Sequence, residues 1–121
     1  MNEKFSNVNL KYKIWLESDQ GEGVLGDGKW LIMRAIISEG SLMAACMKLG
    51  ITYRKTWNDI KKIEQMLGFQ IVQKTRGGKT GGQTILSEEG LKLVKAFDHF
   101  HEGVDALIQK KFHEMMMELK N

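Results

Sequence analysis

The chain has 121 residues, 42% of them apolar, with one cysteine, no proline and a formal net charge of +3, so one domain around a single core spanning 1–121 is expected, and no second, ligand-sensing domain. The lone Cys46 offers neither a disulfide framework nor a zinc-ligand set and fits a reducing compartment. No apolar run approaches the length that spans a bilayer and the terminus MNEKFSNVNL lacks the apolar centre of a signal peptide, so the expected location is cytoplasmic, with no membrane partner.

The charge is unevenly placed. Lys and Arg balance Asp and Glu at 6 and 6 in residues 1–51, stand at 7 against 2 in residues 52–83, and fall to 5 against 7 in residues 84–121. A basic excess confined to one stretch is the electrostatic footprint of a polyanion partner.

Taken in chain order, LKYKIWLES alternates, with Leu10, Tyr12, Ile14 and Leu16 on one face and Lys11, Lys13, Trp15 and Glu17 on the other, so Leu10–Ser18 reads as a strand. DQGEG supplies a turn, Val24 and Leu25 pair back, and a hairpin is predicted over 10–25. The first helix, 27–39, has Asp27 as its N-cap, Gly40 as its stop and an apolar stripe of Trp30, Leu31, Met33, Ile36 and Ile37.

Residues 41–67 read as two helices around a tight turn. Ser41 caps the first, which carries Leu42, Ala45, Cys46 and Leu49 inward and stops at Gly50. Thr52 opens the second, whose inward positions are Thr56, Ile60, Ile63 and Leu67, with Gly68 at its end. Its outer side holds Arg54, Asn58, Lys61 and Gln65, flanked by Lys55 and Lys62. Short helix, glycine turn and longer helix with a basic outer face is the pattern of a helix-turn-helix whose second helix enters the DNA major groove, although an ordinary helical hairpin with a solvated face shares it.

FQIVQKT and TIL then read as two strands around the basic, glycine-rich tip RGGKTGGQ, a wing over 69–86 whose arginine and lysines reach phosphates or a minor groove. Gly78-Lys79-Thr80 imitates the end of a phosphate-binding P-loop, but Gln73 stands where that motif needs glycine and the chain continues as loop and strand, not helix. Ser87 caps a last helix, 87–119, with Glu88 and Glu89 at the positive end of its dipole and a 4-3-4-3 apolar pattern. At the usual rise it would be about 50 Å long. A domain this small cannot bury both ends of such a rod, so its far half is expected to pair with a second copy through Phe97, Phe100, Val104, Leu107, Ile108 and Phe112.

The expected fold is therefore mostly α with small β, a winged helix-turn-helix with an N-terminal β-hairpin and a long C-terminal dimerisation helix. Arg54 suits a bidentate guanine contact and Asn58 an adenine, while Ser41, Thr52, Lys61 and Thr80 suit phosphates that fix register. Lys55, Arg76 and Lys79 add phosphate-binding charge. Tyr53 and Trp57 lie one turn apart between the core and groove faces, where Trp57 is either half-buried packing or a DNA contact. The histidines His99, His101 and His113 show no metal spacing, and no nucleophile–base pair or complete cofactor motif is present, so no metal, cofactor or enzymatic activity is expected.

The blocks GDGKWLIMRAI, GSLMAACMKLGITYRKTWNDI and TRGGKTGGQTILSEEG resemble, in order and spacing, the amino-terminal DNA-binding domain of the ModE family of molybdate-responsive regulators, from about Tyr12 to Phe100. The fold also resembles the winged helix of LysR-type regulators. The resemblance implies a homodimeric bacterial transcription regulator that binds double-stranded DNA, with the Thr52–Leu67 helix in the major groove. The full-length regulators bind molybdate through a separate carboxy-terminal domain, so no molybdate site is expected in this chain. Thr80 interrupts the glycine run that many relatives keep in the wing. A winged helix used for protein–protein interaction is the alternative.

Overall fold

The computed structural model describes residues 5–77 and 82–121. Its elements are β1 (Trp15–Glu17), β2 (Gly23–Gly26), α1 (Asp27–Glu39), α2 (Leu42–Leu49), α3 (Tyr53–Leu67), β3 (Val72–Lys74), β4 (Thr84–Leu86) and α4 (Glu88–Lys120). This is the winged helix-turn-helix with an N-terminal hairpin and a long last helix.

The first hairpin pairs antiparallel with Trp15 opposite Gly26 and Leu16 opposite Leu25. It is shorter than the alternation suggests. Leu10, Tyr12 and Ile14 are half-buried between exposed Lys11 and Lys13, yet residues 10–14 pair with no strand. In β2, Val24 and Leu25 are buried. The strand runs straight into α1, so the N-cap is Gly26 and not Asp27, which becomes the first helical residue. The stripe of α1 is also narrower than expected, since Met33 and Ile36 are buried with Ala35, while Leu31 and Ile37 face solvent.

Ser41 caps α2 by accepting the Ala44 N–H at 3.1 Å, and Leu42, Ala45 and Cys46 turn into the core with Leu49 at its edge. Gly50 ends α2 at φ 68°, a left-handed conformation that a side chain strains, and reverses the chain within the helix-turn-helix. α3 then buries Thr56, Ile60 and Ile63. The Thr56 hydroxyl donates to the Thr52 carbonyl at 2.8 Å, which satisfies it inside the packed face.

β3 and β4 pair antiparallel, Val72 opposite Leu86 and Lys74 opposite Thr84. The first wing strand is again shorter than its β-branched content suggests, and the reason is visible in its hydrogen bonds. The Ile71 and Val72 N–H groups donate to Glu64 Oε2 at 2.7 and 3.1 Å, the Ile71 carbonyl accepts the Ser87 N–H at 2.8 Å, and the Ser87 hydroxyl donates to the Gln70 carbonyl. Residues 70–72 are thus clamped between the end of α3 and the start of α4, and their backbone groups are not available to a longer ladder. Ser87 also accepts the Gly90 N–H at 2.9 Å, capping α4.

α4 runs 33 residues. Its first three turns bury Gly90, Val94 and Phe97, and Phe97 packs edge-on against Trp30 with ring centroids 5.5 Å apart. Phe97, expected on the dimer surface, is therefore a core residue of its own chain. Phe100 and Leu107 are exposed, and Val104, Ile108 and Phe112 are half-buried.

Candidate nucleic-acid interface

The site is the outer face of α3 with the wing beside it. Because Thr56, Ile60 and Ile63 fix which side of α3 faces the core, Arg54, Asn58, Lys62 and Gln65 are left on the solvent side, all exposed. Among the described residues none of these four makes a side-chain hydrogen bond or ion pair, so their donors and acceptors face outward unspent. The Thr52 hydroxyl makes no cap bond, so it too is uncommitted at the start of the helix. Ser41 differs, being buried with its side chain engaged in capping α2.

Two acidic groups trim the positive charge. Asp59 sits 3.3 Å from the Lys55 ammonium and 3.6 Å from that of Lys29. Burial pushes its carboxyl up, but Lys55 and Lys29 outweigh that and hold it below its ordinary value of 3.8. Lys55 accordingly carries its charge already paired. Lys61, 3.0 Å from Glu64, is in the same position. Among the described residues, Arg54 and Lys62 on the helix and Lys74 and Arg76 on the wing make no ion pair.

Trp57 joins the two parts. Its ring is stacked with Tyr53, centroids 6.4 Å apart, and lies beneath two ammonium groups, Lys61 at 4.4 Å and Lys74 at 5.6 Å from the ring centre. Both aromatics are half-buried against the core. Trp57 is half-buried against the core, between helix and wing. Its removal is expected to cost about 2 kcal/mol, roughly half of a fully buried Trp→Ala change, and so to lower the melting temperature by about 8 °C. A thermal melt of Trp57→Ala checks this, and an unshifted midpoint would show that the ring is not packing.

Sequence reasoning had not singled out Lys74. In FQIVQKT it is one lysine among many, and only the docking of the wing on α3 brings it over the indole. Glu64 was missed for a related reason, since a carboxylate among Lys61, Lys62 and Gln65 reads as solvated, yet it is 9% exposed. Between α2, the start of α3 and the wing lies an open cleft of about 520 Å³ walled by Ser41, Met43, Met47, Tyr53, Lys74 and Thr84. Lys79 and Thr80 lie outside the described residues, and Arg76 is exposed. Among the described residues no group of three or more His, Cys, Asp and Glu could hold a metal ion, and no single helix is long and apolar enough to cross a membrane.

Residues 29–91 match the family described as bacterial regulatory helix-turn-helix protein, lysR family. The chain is 30% identical over 84 residues to the molybdenum-pterin-binding protein MopB of Rhodobacter capsulatus, covering 69% of this chain and 31% of that protein. It is 28% identical over 67 residues to the DNA-binding transcriptional dual regulator ModE of Escherichia coli (strain K12), covering 55% and 26%, and 28% identical over 82 residues to the molybdenum transport protein ModE of Azotobacter vinelandii, covering 68% and 30%. The matched segment is thus less than a third of each of these relatives.

Proposed function

The chain belongs to the lysR family of bacterial regulatory helix-turn-helix proteins, and on that footing we propose that it is a sequence-specific regulator of transcription that binds double-stranded DNA as a homodimer. The observation that carries this reading is the unspent outer face of α3 beside a basic wing. Arg54 and Asn58, one turn apart, present a guanidinium fork and a carboxamide, the groups that bond guanine O6/N7 and adenine N6/N7 bidentately in the major groove. Lys62, Lys74, Arg76 and the Thr52 hydroxyl add uncommitted phosphate binders, and Lys61 and Lys55 stand ready to exchange their carboxylate partners for phosphate. Lys79 and Thr80 extend the same role at the wing tip. The dimer would form along the free half of α4, where Phe100 and Leu107 are exposed and Val104, Ile108 and Phe112 half-covered. Such a regulator works in the cytoplasm of a bacterium. The molybdenum named for its relatives belongs to those proteins, and no molybdate site enters the proposal.

The test is selection of bound duplexes from a random pool, with the selected sequences titrated across salt. An inverted repeat bound with a steep salt dependence is expected. Salt-sensitive binding without a consensus would overturn sequence specificity and point to an architectural role, and no binding at all would overturn the reading and leave a protein-interaction module. Two variants separate the roles within the site. Arg54→Ala is expected to relax specificity at one base position by about 1–3 kcal/mol, whereas Arg76→Ala should weaken all sequences alike and reduce the salt slope by about 1.

A further inference from the structure

α4 leaves the body of the domain over a short run of side chains that tie it to α1. Asp98 accepts the Trp30 indole N–H at 2.6 Å and an Arg34 guanidinium N–H at 2.8 Å. One turn further, His101 lies flat on Trp30, ring centroids 5.0 Å apart and planes 13° from parallel. Its two ring nitrogens stand 3.1 Å from Asp27 at the start of α1 and 2.8 Å from Asp105 of α4. Arg34 closes the group from above, 5.4 Å over the Trp30 ring. The contact combines directional hydrogen bonds with flat ring stacking, and both resist rotation of one helix against the other in a way that aliphatic packing does not.

Its position matters as much as its chemistry. Beyond Asp105 no described hydrogen bond or ion pair joins α4 to another element, the Lys111–Glu114 pair being internal to the helix. The α1–α4 contact is thus the last polar tie between the head that carries α3 and the rod that continues to Lys120. From Asp105 to Lys120 the rod is about 22 Å long at about 1.5 Å per residue. A tilt of about 10° at the contact displaces head against rod by about 4 Å, close to the roughly 3.4 Å step between stacked bases.

We infer that Trp30, Arg34, Asp98 and His101 are positioning residues that set the angle of the reading head on the dimer rod, and through it the separation of half-sites that the protein accepts. The inference rests on the dimeric DNA-binding reading above. It assigns no DNA contact to these residues: they act through the geometry with which two heads meet two successive faces of the duplex.

The experiment uses the full chain and duplexes carrying two selected half-sites whose separation is stepped by single base pairs, together with a duplex carrying one half-site. The unaltered protein is expected to prefer one separation over its neighbours by at least about fivefold, the size of a single mismatch. Asp98→Ala and His101→Ala should flatten that preference to within about twofold while leaving affinity for the single half-site within about twofold, a split that loss of fold or of base contact cannot produce. Arg34→Gln removes only the exposed arm of the contact and should flatten the profile in part, which keeps the test decisive if either other variant fails to fold. A spacing profile unchanged in folded variants overturns the inference while leaving the DNA-binding reading intact. A chain that sediments as a monomer, or that binds no duplex, overturns that reading and this inference with it.

Discussion

Replacing Gly90 by alanine is expected to lower the melting temperature by about 12 °C or more, the opposite of what the same change does in an ordinary helix. Inside a helix glycine costs about 1 kcal/mol relative to alanine, so on propensity alone the substitution would stabilise. Gly90, however, lies where the first turn of α4 crosses the clamped segment ahead of the wing. A Cβ there would fall closer than 3.0 Å to the Ile71 carbonyl oxygen, which already accepts the Ser87 N–H. The obstruction is backbone and cannot rotate away. To relieve it, α4 must lift from β4 or residues 70–72 must shift, breaking the bonds to Ser87 and Glu64. A cost of at least about 3 kcal/mol follows, at about 4 °C per kcal/mol for a chain of this size. Gly103 is the control within the same helix. Nothing lies within 4 Å of a Cβ at that position, so Gly103→Ala should raise the midpoint by a few degrees, in line with its gain of about 1 kcal/mol in propensity. Equal shifts in the two variants would show that the crossing is not tight.

Glu64→Ala is expected to cost about 3 kcal/mol at neutral pH and to change how the protein responds to acid. The carboxylate accepts the N–H groups of Ile71 and Val72, residues that are themselves 0% and 1% exposed, and it also holds Lys61. Alanine would leave two buried donors without a partner, at about 1–3 kcal/mol each, offset in part by water entering the gap. Burial pushes the Glu64 carboxyl up, but the Val72 N–H, Lys61 and the Ile71 N–H outweigh it and hold the group below its ordinary value of 4.5. A group whose folded value is depressed adds stability that is complete above its unfolded value and is lost as pH falls through the folded one. Glu64 therefore contributes fully above about pH 4.5 and progressively less below it. Glu64→Gln should be less stable at neutral pH and should show a shallower loss of stability below pH 4.5. The Asp59 carboxyl is also held below its ordinary value, but by surface lysines whose attraction is screened, and it is unchanged in Glu64→Gln, so the change in slope belongs to Glu64. Denaturant melts at a series of pH values measure both effects, and an unchanged acid limb in Glu64→Gln would refute the assignment.

The clamp links these results to the proposed role. Glu64 belongs to α3 and Gly90 to α4, and both act on residues 70–72, from which the wing departs. The angle between recognition helix and wing is set there and again at Trp57, under Lys74 and Lys61. On the proposed function, loosening either point should therefore reduce binding through the wing before it alters the base contacts proposed for Arg54 and Asn58.

Apart from the start of α1, where Gly26 and not Asp27 is the cap, helix starts and stops were readable in the chain itself because the signals are local. Ser41 and Ser87 cap, Gly40, Gly50 and Gly68 terminate, and Thr56, Ile60 and Ile63 repeat at helical spacing, so one turn of backbone suffices to interpret each. The cluster of positive charge in residues 52–83 was equally plain, and with it the face of α3 that is left for a partner. What the pattern could not supply was which neighbour each face would meet. Leu31, Ile37 and Phe97 have the same apolar character, yet the first two are exposed and the third is core, because burial depends on whether another element arrives. In sequence Asp27 reads as a helix cap and Glu64 as a solvated carboxylate. Folding gives Asp27 to His101 on α4 and Glu64 to the start of the wing. Trp30 meets Asp98, and Trp57 meets Lys74, across stretches of chain whose spacing carries no periodic signal. Local periodicity thus settled the elements and their polar faces, while the packing of α4 on α1 and of the wing on α3 chose the partners, since a hydrogen bond between distant residues exists only once the hydrophobic core has brought their helices together.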